Sequence, residues 1–248
     1  MRRRYSALLR ACRRRTSTDC VRVGLASVVW GYVIGAVPLA YLAGRLFGGA
    51  DLREIGTGTA GASNLSHTRS RWAVAPVGLA QVAQGALPPL LARRRGASAA
   101  SQVMSGLASI AGQDWSIFLG FRGGRGVTHS IGFLLALSPA ALAGLTACGL
   151  AGVALRQIPL AMIAGLALSP VLAARSGRPP SVVAGCAALA AMALAKRIEA
   201  NGRPSPGGQR RWLTFAYRAL FDRDVLGREA WLAPRPLASA AEGSARDS

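Results

Sequence analysis

Residues 23–47 read VGLASVVWGYVIGAVPLAYLAGRLF, twenty-five positions with one charged side chain, Arg45. A helix of about 20 apolar residues spans the hydrocarbon core of a bilayer, so this run predicts a first membrane helix. The rest of the chain repeats the pattern. Apolar stretches follow at 72–92, 99–121, 127–138, 139–155, 158–174 and 180–195, parted by short polar, glycine or proline breaks. The expectation is an all-α, polytopic integral membrane bundle of about seven hydrophobic helices. Several of the last four are short for a full span, which a bilayer accommodates by thinning, by an upright helix or by partial crossing.

Charge and composition favour the same class. Of 248 residues 51% are apolar and only 16% are charged, with a mean hydropathy of +0.31. An ordinary soluble domain carries about 25% charged residues. A net charge of +20 in a polar chain would point to nucleic acid, through counterion release from phosphates. Here the arginines flank apolar runs, where membrane lipids supply the nearest phosphates, so no nucleic-acid partner is expected. Cys12, Cys20, Cys148 and Cys186 form no C-x-x-C pair, and His67 and His129 stand far apart, so no metal site is expected.

Three regions follow. Residues 1–22 form a basic arm with eight arginines against Asp19, the positive flank of a signal peptide. Its sequel is wrong, because the next apolar run exceeds an h-region of about 7 to 15 residues. Residues 23–201 make the membrane domain. Residues 202–248 are a polar tail, in which Leu213, Ala216, Tyr217, Leu220 and Phe221 fall at helical spacing. An amphipathic helix over 209–232 lying on the membrane surface fits that spacing, and so does a short soluble helix.

The loop after the first span holds GTGTAGASN, with Gly56, Gly58 and Gly61 at the spacing of a dinucleotide-binding fingerprint. That fingerprint needs a strand before it and an acid about 20 positions on. A membrane span precedes it instead, and Gln81 stands where the acid would be, so nicotinamide binding is excluded. The physics beneath the motif survives. Glycine lets main-chain amides converge on an anion, and Thr57, Thr59, Ser63 and Asn64 add side-chain donors. A phosphate cradle and a plain turn between helices both fit this loop alone. The second loop, FRGGRG, sets Arg122 and Arg125 around Gly123, Gly124 and Gly126 at the mouth of the next helix. Arginine forks suit phosphate, and cytoplasmic anchoring of a helix end is the alternative use of such charge.

These loops resemble those of the bacterial acyl-phosphate-dependent glycerol-3-phosphate acyltransferases, integral membrane enzymes with seven spans. The likeness runs over about 32–201, through YVIGAVPLAYLAGRLFG, DLREIGTGTAGASN, QGALPPLLA, FLGFRGGRGV and IGFLLALSP in family order. The family's first loop reads G-S-G-N-x-G-A-T-N, so Thr57 replaces serine, Thr59 asparagine and Ser63 threonine, while Asn64 matches. Its second reads G-G-K-G-V-A-T, so Arg125 replaces lysine and His129 threonine. Its third motif, an H-R-E-N-like run, survives as an echo in Lys196, Arg197, Glu199 and Asn201.

The resemblance implies acyl transfer from acyl phosphate to the 1-hydroxyl of glycerol 3-phosphate, yielding lysophosphatidate and inorganic phosphate, in a bacterial cell membrane and without a cofactor. It implies catalytic roles for Thr57, Asn64 and Arg125. Substrate contacts fall to Gly56, Gly58, Thr59, Gly61, Ser63, Arg122, Gly123, Gly124 and Gly126, with Arg45 and Arg53 as outer donors and Glu199 and Asn201 from the third motif. An acyl phosphate is already activated, and no Ser-His-Asp nucleophile is visible or required. Acyltransferases that use a histidine with an aspartate five positions later are disfavoured, since position 72 is Trp and position 134 is Leu. Two other readings stay open: a divergent paralogue with another phosphorylated acceptor, and a non-catalytic membrane protein that binds anionic lipid. Asp114, an acid at a membrane span, is expected to pair with Arg122 or to act in the mechanism.

The family has its N-terminus outside and its motif loops in the cytoplasm. Eight arginines before Val23 predict the opposite placement of the arm, whereas Arg45, Arg53, Arg69, Arg71, Arg122, Arg125 and Arg156 agree with the family. Arg93, Arg94 and Arg95 oppose it. The conflict resolves if the natural start lies near Val21 or Val23.

Overall fold

The structure, a computed structural model, describes residues 17–49, 51–53, 59–67, 71–199, 216 and 218–220. Among them are eight α-helices: α1 (Ser17–Ala36), α2 (Leu39–Gly48), α3 (Val74–Arg94), α4 (Ala99–Asp114), α5 (Val127–Leu137), α6 (Pro139–Ala154), α7 (Ile158–Arg175) and α8 (Pro180–Glu199). Short 3-10 turns lie at Ala62–His67, Arg71–Ala73 and Ile117–Leu119. Four segments are long and apolar enough to cross a membrane, Arg22–Phe47 with its kink, α3, α7 and α8, and α5 and α6 are shorter apolar helices.

Two predicted spans differ from the sequence reading. The first is not one helix: Val37 and Pro38 part α1 from α2. Pro38 has no N–H to give the carbonyl of Ile34, so the ladder fails there. The Gln84 side-chain amide on α3 donates instead to Ile34 O at 2.7 Å and to Val37 O at 3.1 Å, and the Ser116 hydroxyl donates to Ala36 O at 2.6 Å. Satisfied in this way, a break is tolerated inside a membrane domain. The third predicted span, 99–121, stops as a helix at Asp114. Its apolar remainder, Ile117 to Phe121, folds as a 3-10 turn closed by Gly120 at φ 59° and Phe121 at φ 63°.

Lipid tails are as apolar as leucine, so helices in a bilayer associate through close packing of small residues. Helices α1 and α4 meet along such a seam, Gly31 on Ser105, Gly35 on Ser109 and Gly112 against Tyr32 and Ala36. Helices α3 and α5 use Gly85 and Gly132 in the same way. The larger side chains fill the centre, where Val103 and Ile110 of α4 and Phe133, Leu134 and Leu137 of α5 pack with Leu145, Leu166, Val182 and Leu189. A second cluster, Ala40, Ala43, Leu52, Leu65 and Ala73, fastens the first glycine loop onto α2 and the start of α3. That cluster fixes where the loop can reach.

The arm before Ser17 lies outside the described residues. So does the predicted 209–232 helix, apart from Ala216 and Arg218 to Leu220, which are helical.

Candidate functional site

The two glycine loops meet. The Ala60 amide donates to the Gly123 carbonyl at 3.4 Å, tying the first loop to FRGGRG. The second loop is in turn held by the end of α4, since Gly123 N–H donates to Asp114 O at 3.2 Å and Gly124 N–H to Gln113 O at 2.9 Å. A Cβ at Gly123 would run into the main-chain carbonyl oxygen of Gln113, which cannot swing aside, so only glycine fits there. These two amides therefore serve the fold. Gly126, at φ 60°, caps α5, and a Cβ there would come within 2.8 Å of Asp114 Oδ1.

Around this junction lies an inner cavity of about 290 Å³. From the first loop it is lined by Thr59, Gly61, Ala62 and Ser63; from the second, by Arg125 and Gly126. Gln113, Val127 and Thr128 add to its wall, Ile158, Pro159 and Met162 give it an apolar side, and Arg197 closes it from α8. Two guanidinium groups and several hydroxyls thus face one small space beside an apolar wall. That combination suits a phosphorylated amphiphile.

A second, outer cleft of about 440 Å³ is lined by Tyr41, Arg53, Phe118, Leu119, Gly120 and Arg122. Arg53 is clamped by Asp51, Nε to Oδ1 at 3.0 Å and Nη2 to Oδ2 at 2.7 Å, and lies 5.2 Å over the Tyr41 ring. Hydrogen bonding from Arg53 holds the Asp51 carboxyl at about 2, below the usual carboxylate range. Arg45 sits 5.8 Å over the same ring and donates from Nε to the Tyr41 hydroxyl.

The predicted site residues therefore divide. Thr59, Gly61, Ser63, Arg125 and Gly126 come together in the inner cavity. Arg53 and Arg122 line the outer cleft, with Arg45 at its rim. Asn64 is buried and donates from Nδ2 to Leu52 O at 2.7 Å and Thr59 O at 3.0 Å, which cross-braces the first loop. Gly56, Thr57, Gly58 and Asn201 lie outside the described residues. Glu199 does not line the cavity: its carboxylate accepts from Trp115 Nε1 at 2.7 Å and from Lys196 Nζ at 3.1 Å. Lys196, almost fully buried, lies 5.0 Å over the Trp115 ring. The expected Asp114–Arg122 pair does not form. Asp114 is fully buried beneath the second loop, neither of its carboxylate oxygens has a hydrogen-bond partner among the described residues, and Arg122 is exposed.

Sequence reasoning did not assign Gln113, Thr128 and Arg197 to the site. Arg197 had a signal, since it stands in the echo of the third motif. Gln113 was one too, a buried amide in an apolar run.

Comparison with known proteins agrees with this geometry. A family model described as glycerol-3-phosphate acyltransferase matches residues 25–203. A glycerol-3-phosphate acyltransferase of Jannaschia sp. (strain CCS1) is 36% identical over 176 residues, 71% of this chain and 85% of that protein. Glycerol-3-phosphate acyltransferase 4 of Dehalococcoides mccartyi (strain CBDB1) is 32% identical over 210 residues, 82% and 90% of the two chains. The crystal structure of PlsY (YgiH), an integral membrane glycerol 3-phosphate acyltransferase in its glycerol 3-phosphate form, matches with a TM-score of 0.66. It is 26% identical, over 73% of this chain and 90% of that one. The lysophosphatidic acid form shares the fold, with a TM-score of 0.63 and 24% identity. The chain is an integral membrane protein and belongs to the glycerol-3-phosphate acyltransferase family.

Proposed function

We propose that this chain transfers an acyl group from acyl phosphate to the 1-hydroxyl of glycerol 3-phosphate. The observation that carries the reading is the Ala60–Gly123 hydrogen bond, which sets Thr59 and Ser63 in one cavity with Arg125 and Arg197. PlsY is described in forms with glycerol 3-phosphate and lysophosphatidic acid, the acceptor and product of this reaction.

The acceptor oxygen attacks the acyl carbonyl carbon, the bond from that carbon to the phosphate oxygen breaks, and inorganic phosphate leaves. The hydroxyl proton passes to a phosphate oxygen, so no side chain need take it. Two anions repel each other in any shared site. The two guanidinium groups offset that repulsion, each charge-assisted hydrogen bond contributing roughly 1.5 to 3 kcal/mol. Holding the reactants in line supplies much of the remaining acceleration. Ile158, Pro159 and Met162 give the acyl chain an apolar wall on which to enter.

The test is product analysis by mass spectrometry with purified full-length protein, acyl phosphate and glycerol 3-phosphate. Lysophosphatidate with stoichiometric phosphate release is expected. Product only with another phosphorylated acceptor would reassign the substrate, and no product with any acceptor would overturn the enzymatic reading.

A further inference from the structure

The residues proposed for acyl transfer line the inner cavity, and the outer cleft shares none of them. Its charge is built in: Arg45 and Arg53 stack on the Tyr41 ring, Asp51 clamps Arg53, and Arg122 approaches from the second loop. Among the described residues there, three arginines face one aspartate. The clamp fixes Arg53 before any ligand arrives, so little side-chain freedom is lost on binding.

The apolar rim says which anion this is. Phe118 lines the cleft yet is 63% exposed, and its chain neighbours Ile117 and Phe121 are more than half exposed as well. In an integral membrane protein, large apolar side chains so exposed lie against acyl chains. Guanidinium groups at the edge of such a belt sit at head-group depth. A free sugar phosphate gains nothing from Phe118, whereas a phospholipid places its phosphate on the arginines and its chains along the phenylalanine.

We propose that the cleft between Tyr41, Arg53, Phe118 and Arg122 is a binding site for the phosphate head group of an anionic membrane phospholipid, separate from the inner cavity. The site holds a lipid that is neither substrate nor product of acyl transfer.

Native mass spectrometry of the full-length protein in detergent, with phosphatidylglycerol or phosphatidylcholine added, tests this without any activity readout. Wild-type protein is expected to retain phosphatidylglycerol in preference to phosphatidylcholine. Arg122→Gln should weaken that retention about fivefold, the usual effect of one interfacial arginine, and Arg122→Lys should keep most of it. Arg175→Gln is the control, at the far end of α7, roughly 27 Å along an 18-residue helix from the wall of the inner cavity. It should match the wild type. Equal retention by Arg122→Gln and wild type would overturn the proposal, as would an equal loss in Arg175→Gln. Displacement of phosphatidylglycerol from wild-type protein by inorganic phosphate at matching concentrations would assign the cleft to a soluble anion and would also overturn it.

Discussion

Gln84 Nε2 lies 2.7 Å from the carbonyl oxygen of Ile34, the group that Pro38 leaves without its helical partner four residues on. One side chain on α3 thereby makes the α1–α2 break stable inside a membrane domain. Gln84→Leu removes this bond and the one to Val37 O, leaving two carbonyls without that donor. A loss of about 1–2 kcal/mol is expected, read as a lower thermal midpoint in detergent.

The seam between α1 and α4 predicts a contrast between two glycines. A Cβ at Gly112 would meet the backbone of Tyr32 and come within 2.7 Å of Ala36 N, and neither can move aside. Gly112→Ala should cost at least about 1–3 kcal/mol through overpacking. Gly78 has nothing within 4 Å of its would-be Cβ, so Gly78→Ala should stabilise α3 by about 0.5–1 kcal/mol. Chemical unfolding of the two variants side by side checks both signs.

Asp51 predicts a pH signature. Its folded value is depressed to about 2 by Arg53, below the unfolded carboxylate value of about 3.9. Its contribution is therefore fully present above the unfolded value and is lost as pH falls through the folded one. The difference in thermal midpoint between wild type and Asp51→Asn should stay constant above about pH 5 and shrink between about pH 4 and pH 2. A difference that grows with acid would refute the ion pair.

Asn64 braces the first loop from within. Asn64→Ala leaves the Leu52 and Thr59 carbonyls short of a donor at about 1–3 kcal/mol. It also frees Thr59 to leave the inner cavity. Both the thermal midpoint and acyl transfer should fall, and Asn64→Asp, which cannot donate when ionised, should behave like alanine rather than like wild type.

The sequence made the membrane class and most helices legible because apolar runs bounded by glycine, proline or arginine carry their own ends. It hid the kink at Pro38, because hydropathy across 23–47 is unbroken and the partners that permit the break, Gln84 and Ser116, lie 50 and 80 residues from their acceptors. The end of α4 was hidden likewise: Ile117 to Phe121 is apolar but curls through two left-handed residues. Those turns also send Arg122 and Arg125, three positions apart, to different clefts, which spacing alone cannot express. Ser63 and Arg125 were legible because hydroxyl and positive charge are kept at their motif positions, and Thr59 because the glycines around it keep their spacing. Arg197 was missed because its motif has drifted, and only the approach of α8 to the cavity assigns it a place.

The central claim is that Arg125 and the first loop grip one anionic reaction centre. Steady-state kinetics of Arg125→Ala, with acyl phosphate and glycerol 3-phosphate each varied, test it most directly. The prediction is a fall in kcat/KM of about 100-fold or more, partly restored in Arg125→Lys, in variants that remain folded. Wild-type kinetics in a folded Arg125→Ala protein would contradict it.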